Sequence, residues 1–228
     1  MAPRLSIIIP VLHEAGSINP TLDAIDAATG GMSTETIVVD GASDGDTLAA
    51  VSGRDVLEIL SAPGRGTQMN AGATEASGEI FLFLHADTRL PEGAGELIIN
   101  ACKDESVTGG AFDLGIDSPR PGFRMIETIA SLRSRLTRIP YGDQAIFIKA
   151  AIFRALGGYR PIPIMEDIDL MQRLKRHGYQ IRLLRPAVMT SARRWEKEGV
   201  CYVTLRNLCL STLFYLGVSP ERLKRFYP

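Results

Sequence analysis

The sequence has 228 residues, 45% of them hydrophobic, which is enough apolar material for a folded core and excludes a disordered chain. Its 25 basic and 26 acidic residues give a formal net charge of -1, so no overall positive field attracts nucleic acid. The three cysteines are too few and too scattered for a disulfide framework or a metal-binding cluster, and no signal peptide is expected. We therefore expect one α/β domain over residues 1–228, located in the cytoplasm.

Short apolar runs alternate with helical spacings through the first half of the chain. The runs predict buried strands over 5–9, 36–39, 56–60 and 80–84, with a helix after the first strand and another over 67–76. Strands that alternate with helices favour right-handed crossovers, hence a mostly parallel sheet with helices on both faces.

The second half of the chain is less regular. Strands are predicted over 109–116, 145–148 and 181–184, and helices over 123–136, 166–178 and 201–216. In the first of these helices, Ile126, Ile129 and Leu132 form the expected apolar stripe. The last helix is expected to be amphipathic.

Acidic side chains follow two of the predicted strands. Asp40 and Asp44 come after strand 36–39, and Asp87 comes after strand 80–84, so the three should meet at the carboxyl edge of the sheet. Carboxylates gathered there repel one another unless a cation lies among them, and a divalent ion carrying a phosphorylated substrate would suit them. As alternatives, Asp40 forms an Asx turn with Gly41, and Asp87 starts the next turn.

Two helix starts carry further candidates. Arg65, Gln68 and Asn70 lie where a cation and amides can meet a base or a phosphate, although a solvated helix face is the alternative, above all for Gln68. Glu166 and Asp167 begin a later helix, whose dipole favours ionised acids and helps to keep Asp167 available as a base. Two acids that only stabilise the first turn are the alternative.

A basic and aromatic cluster, Arg193-Arg194-Trp195, precedes the last helix. Guanidinium groups match diphosphate oxygens, and an indole can stack on a sugar or on an apolar acceptor, whereas a lone cluster of this kind is more often a surface patch. The last helix is rich in apolar residues and has basic neighbours. It could lie on a membrane surface near a lipid-linked acceptor, pack on the sheet, or form a dimer interface.

Five segments, in this order, resemble motifs of the inverting nucleotide-sugar transferases of glycosyltransferase family 2, which have the GT-A fold. Segments 5–14, 38–45 and 64–72 resemble SIIIPxxNE, VVDDGSxDGT and GxxxARNxG. His85-Ala86-Asp87 stands in the place of the metal-binding DxD, and Glu166-Asp167 in that of the catalytic ED. The segments LHADT and RRW are similar to those of small bacterial and cyanobacterial members. The resemblance runs from residue 5 to about residue 198.

The resemblance implies a nucleotide-sugar-binding half over about 1–105, an acceptor and catalytic half over 106–198, and a C-terminal helix and tail over 199–228. The implied nucleotide-sugar-binding residues are Pro10, Val11, Glu14, Asp40, Asp44, Arg65, Gln68, Asn70, His85 and Ala86. Asp40 would bind the base, taken to be uracil, and Asp87 would hold Mn²⁺ or Mg²⁺ on the diphosphate. The implied diphosphate and acceptor side consists of Gln144, Arg193, Arg194 and Trp195.

The implied activity is transfer of a sugar from a nucleotide diphosphate sugar to an acceptor hydroxyl. Asp167, with Glu166 beside it, would take the proton of that hydroxyl while its oxygen attacks the anomeric carbon, which inverts the configuration. The Gln-x-x-Arg-Trp motif of processive synthases is missing, so we expect transfer of a single sugar. Two departures from the family pattern concern the site. His85 replaces the first acid of DxD, and imidazole suits Mn²⁺ better than Mg²⁺, while Gly41 replaces an aspartate after the second strand.

Three other classes were weighed. A haloacid dehalogenase-type phosphatase needs its first acid as the nucleophile, and that position is His85. A dinucleotide-binding dehydrogenase needs a glycine-rich fingerprint after its first strand, where this chain has Pro10-Val11-Leu12-His13-Glu14. A degenerate GT-A domain that binds a nucleotide sugar or a membrane partner without turnover remains an alternative.

Overall fold

The computed structural model describes residues 4–227. Its strands are β1 (Leu5–Val11), β2 (Thr34–Asp40), β3 (Leu57–Leu60), β4 (Ile80–Phe83), β5 (Thr88–Arg89), β6 (Val107–Asp117), β7 (Ile146–Lys149) and β8 (Gln180–Ser191). Its helices are α1 (Ile18–Thr29), α2 (Asp46–Ala50), α3 (Arg65–Glu75), α4 (Ala94–Cys102), α5 (Pro121–Thr137), α6 (Ala150–Ala155), α7 (Glu166–Arg176), α8 (Arg193–Glu198), α9 (Val200–Tyr215) and α10 (Pro220–Lys224). A 3₁₀ turn, Gly142–Gln144, precedes β7.

The strands form one sheet in the order β3-β2-β1-β4-β7-β6-β8-β5. The four strands of the first half are parallel, as the alternation of strands and helices predicts. Strand β7 runs antiparallel between β4 and β6, while β6 and β8 pair in parallel. The sheet is therefore parallel in the first half and mixed overall, and the predicted α/β class is confirmed.

Helices cover both faces of the sheet, because successive residues of a buried strand point to opposite faces. In β1, Ile7 and Ile9 pack in one core with residues of α1 and α4. Their neighbour Ile8 packs in a second core with residues of α3, α6 and α7. The carboxyl ends of β1, β2 and β4 are thus held rigidly from both sides.

Two helices of the second half differ from their predictions. The stripe expected to be buried in α5 is exposed at Ile129 and Leu132, and of the α5 residues only Phe123 and Ser134 are buried. Helix α9 is not amphipathic, because apolar residues lie on its buried and on its exposed sides alike. A helical period identifies a face but not what that face packs against. Within residues 4–227, no helix is both long enough and apolar enough to cross a bilayer.

Strand β8 is longer than the predicted strand 181–184. It continues through Arg185 and Pro186 to Ser191, and its pairing with β6 shifts register between Phe112 and Asp113. A proline and an irregular register mask such a strand in the sequence. The extension matters for function, because it places Ser191, at the end of β8, and the helix that follows it at the candidate site.

Candidate functional site

A cavity lies beyond the carboxyl end of β4, between the N-terminus of α7 and the segment that contains α8 and α9. Among the candidates from the sequence, it brings together Arg65, His85, Asp87, Glu166, Asp167, Arg194 and Trp195. These residues come from four segments that are distant in the chain. The cavity is also where ligands bind in open α/β sheets.

Asp167 is held in place by two backbone N–H groups. Its Oδ2 accepts a hydrogen bond of 2.6 Å from Gly142 N, and its Oδ1 accepts one of 2.7 Å from Ile168 N. The preceding Met165 has a φ of 66°, an unusual conformation for a residue with a side chain, which turns the chain into α7. The carboxylate is therefore fixed in one orientation at the cavity wall.

Gly142 lies close to His85 as well as to Asp167. A Cβ atom at Gly142 would lie 3.0 Å from His85 Nε2 and 3.4 Å from Asp167 Oδ2, so a larger residue there would require the His85 side chain to shift. Burial, reinforced by the positive charges of Arg65 and Arg194, lowers the pKa of His85 to about 3. His85 is therefore a neutral imidazole at physiological pH.

Glu166 is almost fully buried beside Asp167. Its Oε1 lies 3.6 Å from Arg65 Nη1, and burial together with the negative charge of Asp167 raises the pKa of Glu166 to about 7. The two neighbouring acids thus differ in exposure and in environment. Both acids line the cavity, but Asp167 is half-buried and accepts two backbone hydrogen bonds, whereas Glu166 is buried and its Oε1 lies toward Arg65 at the start of α3.

Asp87 lies close to the loop that follows β1, because Arg193 lies near both Asp87 and Glu14 of that loop. Arg193 Nη2 lies 3.9 Å from Asp87 Oδ2 and 3.1 Å from Glu14 Oε1, and Glu14 Oε2 also accepts a hydrogen bond from Ser17. Burial raises the pKa of Asp87, although Arg193 opposes that shift. The Asp87 carboxylate therefore lies in a place that would be stabilised by further positive charge.

Asp143 is a further carboxylate in the same cavity, and it was not among the candidates predicted from the sequence. Burial raises the pKa of Asp143 to about 6; Arg133 opposes this rise, and the negative charges of Asp167 and Asp87 add to it. Its position in the 3₁₀ turn aims it at the acids of α7 and of the β4 loop.

The donor groups of this cavity fit a hard divalent cation. Asp87 and Asp143 supply carboxylate oxygens, the ligands that Mg²⁺ and Mn²⁺ prefer. Burial raises the pKa of both despite the arginines nearby, so a bound cation would further stabilise their ionised forms. His85 adds a neutral imidazole nitrogen, which Mn²⁺ accepts more readily than Mg²⁺.

A second acidic group lies at the surface. His13, Asp44 and Asp46 offer ligand atoms within 4.8 Å of one another, outside the cavity lining. His13 Nδ1 lies 3.0 Å from Asp46 Oδ2, and this hydrogen bond raises the pKa of His13. Exposed acidic groups of this kind are common without a bound ion, so we assign no metal to it.

Asp40 and Gln68 are interior residues that hold the edge of the sheet. Asp40 is fully buried, and its two oxygens accept hydrogen bonds from the backbone N–H groups of Ala42 and Thr47, which is the Asx-turn alternative. The Gln68 amide donates to the carbonyls of Val11 and Val39. This arrangement differs from the base contact expected of Asp40, and from both the nucleotide-sugar contact expected of Gln68 and its alternative, a solvated helix face.

Asn70 and Ala86 also contact backbone. The Asn70 amide donates to Tyr159 O and accepts from Tyr159 N, and the Ala86 carbonyl accepts a hydrogen bond from Thr21. Pro10 and the buried Val11 end β1 at this edge, outside the cavity lining.

Gln144, expected on the diphosphate and acceptor side, is fully buried. Its Nε2 donates to Phe112 O at 2.9 Å, and its Oε1 accepts from Ser134 Oγ at 2.6 Å and from Tyr141 N at 3.2 Å. The expected ligand contact is therefore wrong for this side chain, because its amide is used to join β6, α5 and the 3₁₀ turn.

The three residues of the cluster 193–195 lie in two different environments. Arg193 points to Glu14 and Asp87, whereas Arg194 lines the cavity and contacts the hydroxyl of Tyr227. Trp195 lines the cavity and packs edge-on against Phe123, with ring centroids 6.0 Å apart. Its indole N–H is buried and has no hydrogen-bond partner within residues 4–227.

Other residues that line the cavity were not predicted from the sequence. Asn207 and Ser211 lie one turn apart on the inner side of α9, and Tyr141 and Tyr227 complete the wall. The spacing of these two polar residues, which places them on one side of a largely apolar helix, is a signal that the sequence did contain. Tyr227 carried none, because only the fold brings the end of the chain back to Arg194.

Comparison with protein families matches residues 6–159 to the family described as glycosyl transferase family 2. Among solved structures, the chain is similar to the mannosyltransferase PcManGT from Pyrobaculum calidifontis, determined in complex with GDP-Man and Mn²⁺. The two sequences are 24% identical, the TM-score is 0.65, and the match covers 99% of this chain and 68% of that one. No protein of curated function matches this sequence significantly. At this identity the likeness concerns the fold, and it extends beyond the residues that match the family.

Proposed function

Because this chain belongs to glycosyl transferase family 2 and has the GT-A fold, we propose that it transfers a single sugar from a nucleotide diphosphate sugar to an acceptor hydroxyl, with inversion. The observation that carries the proposal is the Asp167 carboxylate, which is held by two backbone N–H groups in a cavity that also contains Asp87 and Arg194. A fixed base near groups suited to a diphosphate is what this reaction needs.

Asp167 acts as the general base in this proposal. It accepts the proton of the acceptor hydroxyl as that oxygen bonds to the anomeric carbon, and the bond from that carbon to the diphosphate breaks on the opposite face. The hydrogen bonds from Gly142 and Ile168 leave lone pairs on both carboxylate oxygens. The buried Glu166 positions Arg65 and adds negative charge beside the base.

The diphosphate lies against Asp87 and the arginines in this proposal. Asp87 and Asp143, with His85 nearby, would hold Mn²⁺ or Mg²⁺, and the ion would neutralise charge on the leaving nucleoside diphosphate. Arg194 adds a cation in the cavity, and Trp195 offers an apolar face to the sugar or the acceptor.

Two nucleotides are candidates for the donor sugar. The resemblance favours uridine, whereas the similar mannosyltransferase was solved with GDP-Man. We keep a UDP-linked sugar as the first choice and a GDP-linked sugar as the second. The acceptor is a hydroxyl compound, and a lipid-linked one is compatible with the apolar helices that flank the cavity.

Donor hydrolysis tests the proposal without knowledge of the acceptor, because water can replace the acceptor hydroxyl. We expect release of nucleoside diphosphate from one donor of a UDP-, GDP- and dTDP-sugar panel, and proton NMR should show the inverted anomer first. Asp167→Asn should lower the rate about 10²- to 10⁴-fold, the usual contribution of a general base. The exposed Asp55→Asn is the matched control.

Two results would contradict the proposal. An unchanged rate in Asp167→Asn would remove that residue as the base. Nucleotide binding without turnover of any donor would favour the degenerate GT-A domain, which the replacement of an acid by His85 keeps as a second candidate.

A further inference from the structure

The exposed apolar side chains of this protein are concentrated in two regions. Of the fourteen large hydrophobic side chains exposed within residues 4–227, eleven lie in 121–137 or 200–227. Isolated exposed apolar residues are common, but a concentration of this kind marks an interaction surface.

The first region is one face of α5. Its exposed residues Met125, Ile129, Leu132 and Leu136 are spaced by four, three and four positions, which places them on one side of the helix. That spacing normally identifies the side of a helix that packs against something. Here it faces outward, and Leu136 is 75% exposed.

The second region is α9 and the residues after it. In this 16-residue helix only Val203, Leu210 and Ser211 are buried, while Leu205, Leu208 and other large apolar residues are exposed. A helix that is apolar on all sides is normally covered on all sides. One side of α9 is covered by the protein itself, and its outer side is uncovered.

The two helices are linked near both ends by residues that touch both of them or bridge between them. Near their N-termini, Phe123 of α5 packs against Trp195, and the two share a small apolar cluster with Val200 of α9. Near their C-termini, Arg133 of α5 stacks on Tyr141, which interacts with Tyr215 of α9. We call their joint outer side the α5–α9 surface.

The two chain segments that form the α5–α9 surface contain more basic than acidic residues. Residues 120–138 contain five arginines and one glutamate, and residues 193–227 contain seven basic and three acidic residues. The whole chain has a formal net charge of -1, so the rest of the chain carries an excess of acid. Some of these cations pair with carboxylates, and Arg194 lines the cavity. Exposed basic residues of the same two segments are Arg120, Lys197, Arg222 and Arg225.

We propose that the α5–α9 surface docks on an anionic phospholipid bilayer, with its apolar side chains in the interfacial region and its basic residues among the headgroups. Apolar side chains flanked by cations are what such a bilayer attracts, and no spanning helix is required. Association with a second copy through this surface is disfavoured, because it would bring two basic segments together.

Docking in this way would bring the cavity to the membrane. The inner side of α9 contributes Asn207 and Ser211 to the cavity wall, while its outer side enters the interface. A lipid-linked acceptor could then reach Asp167 without leaving the bilayer surface. The docking itself does not depend on transferase activity.

Vesicle flotation tests the inference. Vesicles of phosphatidylcholine mixed with phosphatidylglycerol should carry the protein upward, and vesicles of phosphatidylcholine alone or raised salt should carry less of it. The double variant Leu136→Gln with Leu216→Gln should lower partitioning, by about tenfold for each leucine that no longer enters the interface. Leu60→Gln, 60% exposed at the β3 edge, is the matched control and should bind as the unchanged protein does.

The following results would contradict membrane docking. The inference fails if the unchanged protein stays in the soluble fraction with anionic vesicles, or if Leu60→Gln weakens binding as much as the double variant. A concentration-dependent dimer in light scattering that the double variant abolishes, without vesicle binding, would assign the surface to a second copy. Thermal unfolding checks that the variants are folded. Titration with nucleoside diphosphates reports the proposed function separately, because the variant positions lie outside the cavity lining.

Discussion

Replacing Gln144 by leucine should destabilise the protein rather than remove a ligand contact. The side chain is fully buried, and its loss leaves the carbonyl of Phe112 and the N–H of Tyr141 without the partners that they have in this structure. Ser134 can still donate to Ala130 O. Two buried unpaired groups cost on the order of 2–5 kcal/mol together, a large part of a domain's usual stability.

Urea unfolding followed by circular dichroism measures this loss. We expect a lower midpoint with an unchanged slope, because the surface exposed on unfolding stays the same. The control is Gln180→Leu, the same substitution at an exposed position, which should change stability by less than about 0.5 kcal/mol. If Gln144→Leu unfolds like the control but loses nucleotide binding, our interpretation of Gln144 as an interior residue is refuted.

Three further substitutions test other parts of the structure. Asp169→Asn weakens the buried pair with Arg173, whose Nε donates to Asp169 Oδ2 at 2.7 Å, and should lower stability by on the order of 3 kcal/mol; an unchanged melting temperature would contradict this. Gly110→Ala places a Cβ 2.0 Å from the Arg182 carbonyl oxygen and should cost about 1–3 kcal/mol, whereas full stability would exclude so close a contact. The pKa of Glu166 is raised from 4.5 to about 7, so its stabilising contribution is complete below pH 4.5 and is lost as the pH rises to about 7. Glu166→Gln should therefore gain stability relative to the unchanged protein across that range, and a constant difference would refute the shift.

The first half of the fold could be predicted because buried parallel strands are continuous apolar runs. Segment 80–84 is such a run, and the structure has β4 there, with its neighbours β1 and β7 on either side. The second half could not be predicted as well. Its helix α5 has a clear apolar period, yet that face is exposed at Ile129 and Leu132, since the period gives no information about the partner.

The candidate site was predictable to the extent that its residues begin helices or end strands. His85, Asp87, Glu166 and Asp167 follow such signals, and the cavity brings them together. Asp143 and Gln144 are adjacent polar residues of one turn, and the sequence could not separate them. The fold turns Asp143 into the cavity and the amide of Gln144 toward Phe112 and Ser134, which are distant in the chain.

Isothermal titration of UDP, GDP and dTDP, each with Mn²⁺, with Mg²⁺ and with a chelator, tests most directly whether the Asp87 cavity is a nucleotide-sugar site. We predict that one nucleoside diphosphate binds only with a metal, and that Asp87→Ala weakens its binding by at least about tenfold. The control Asp55→Asn should leave binding unchanged. Failure of all three nucleotides to bind under every metal condition, or binding that Asp87→Ala does not alter, would contradict the account.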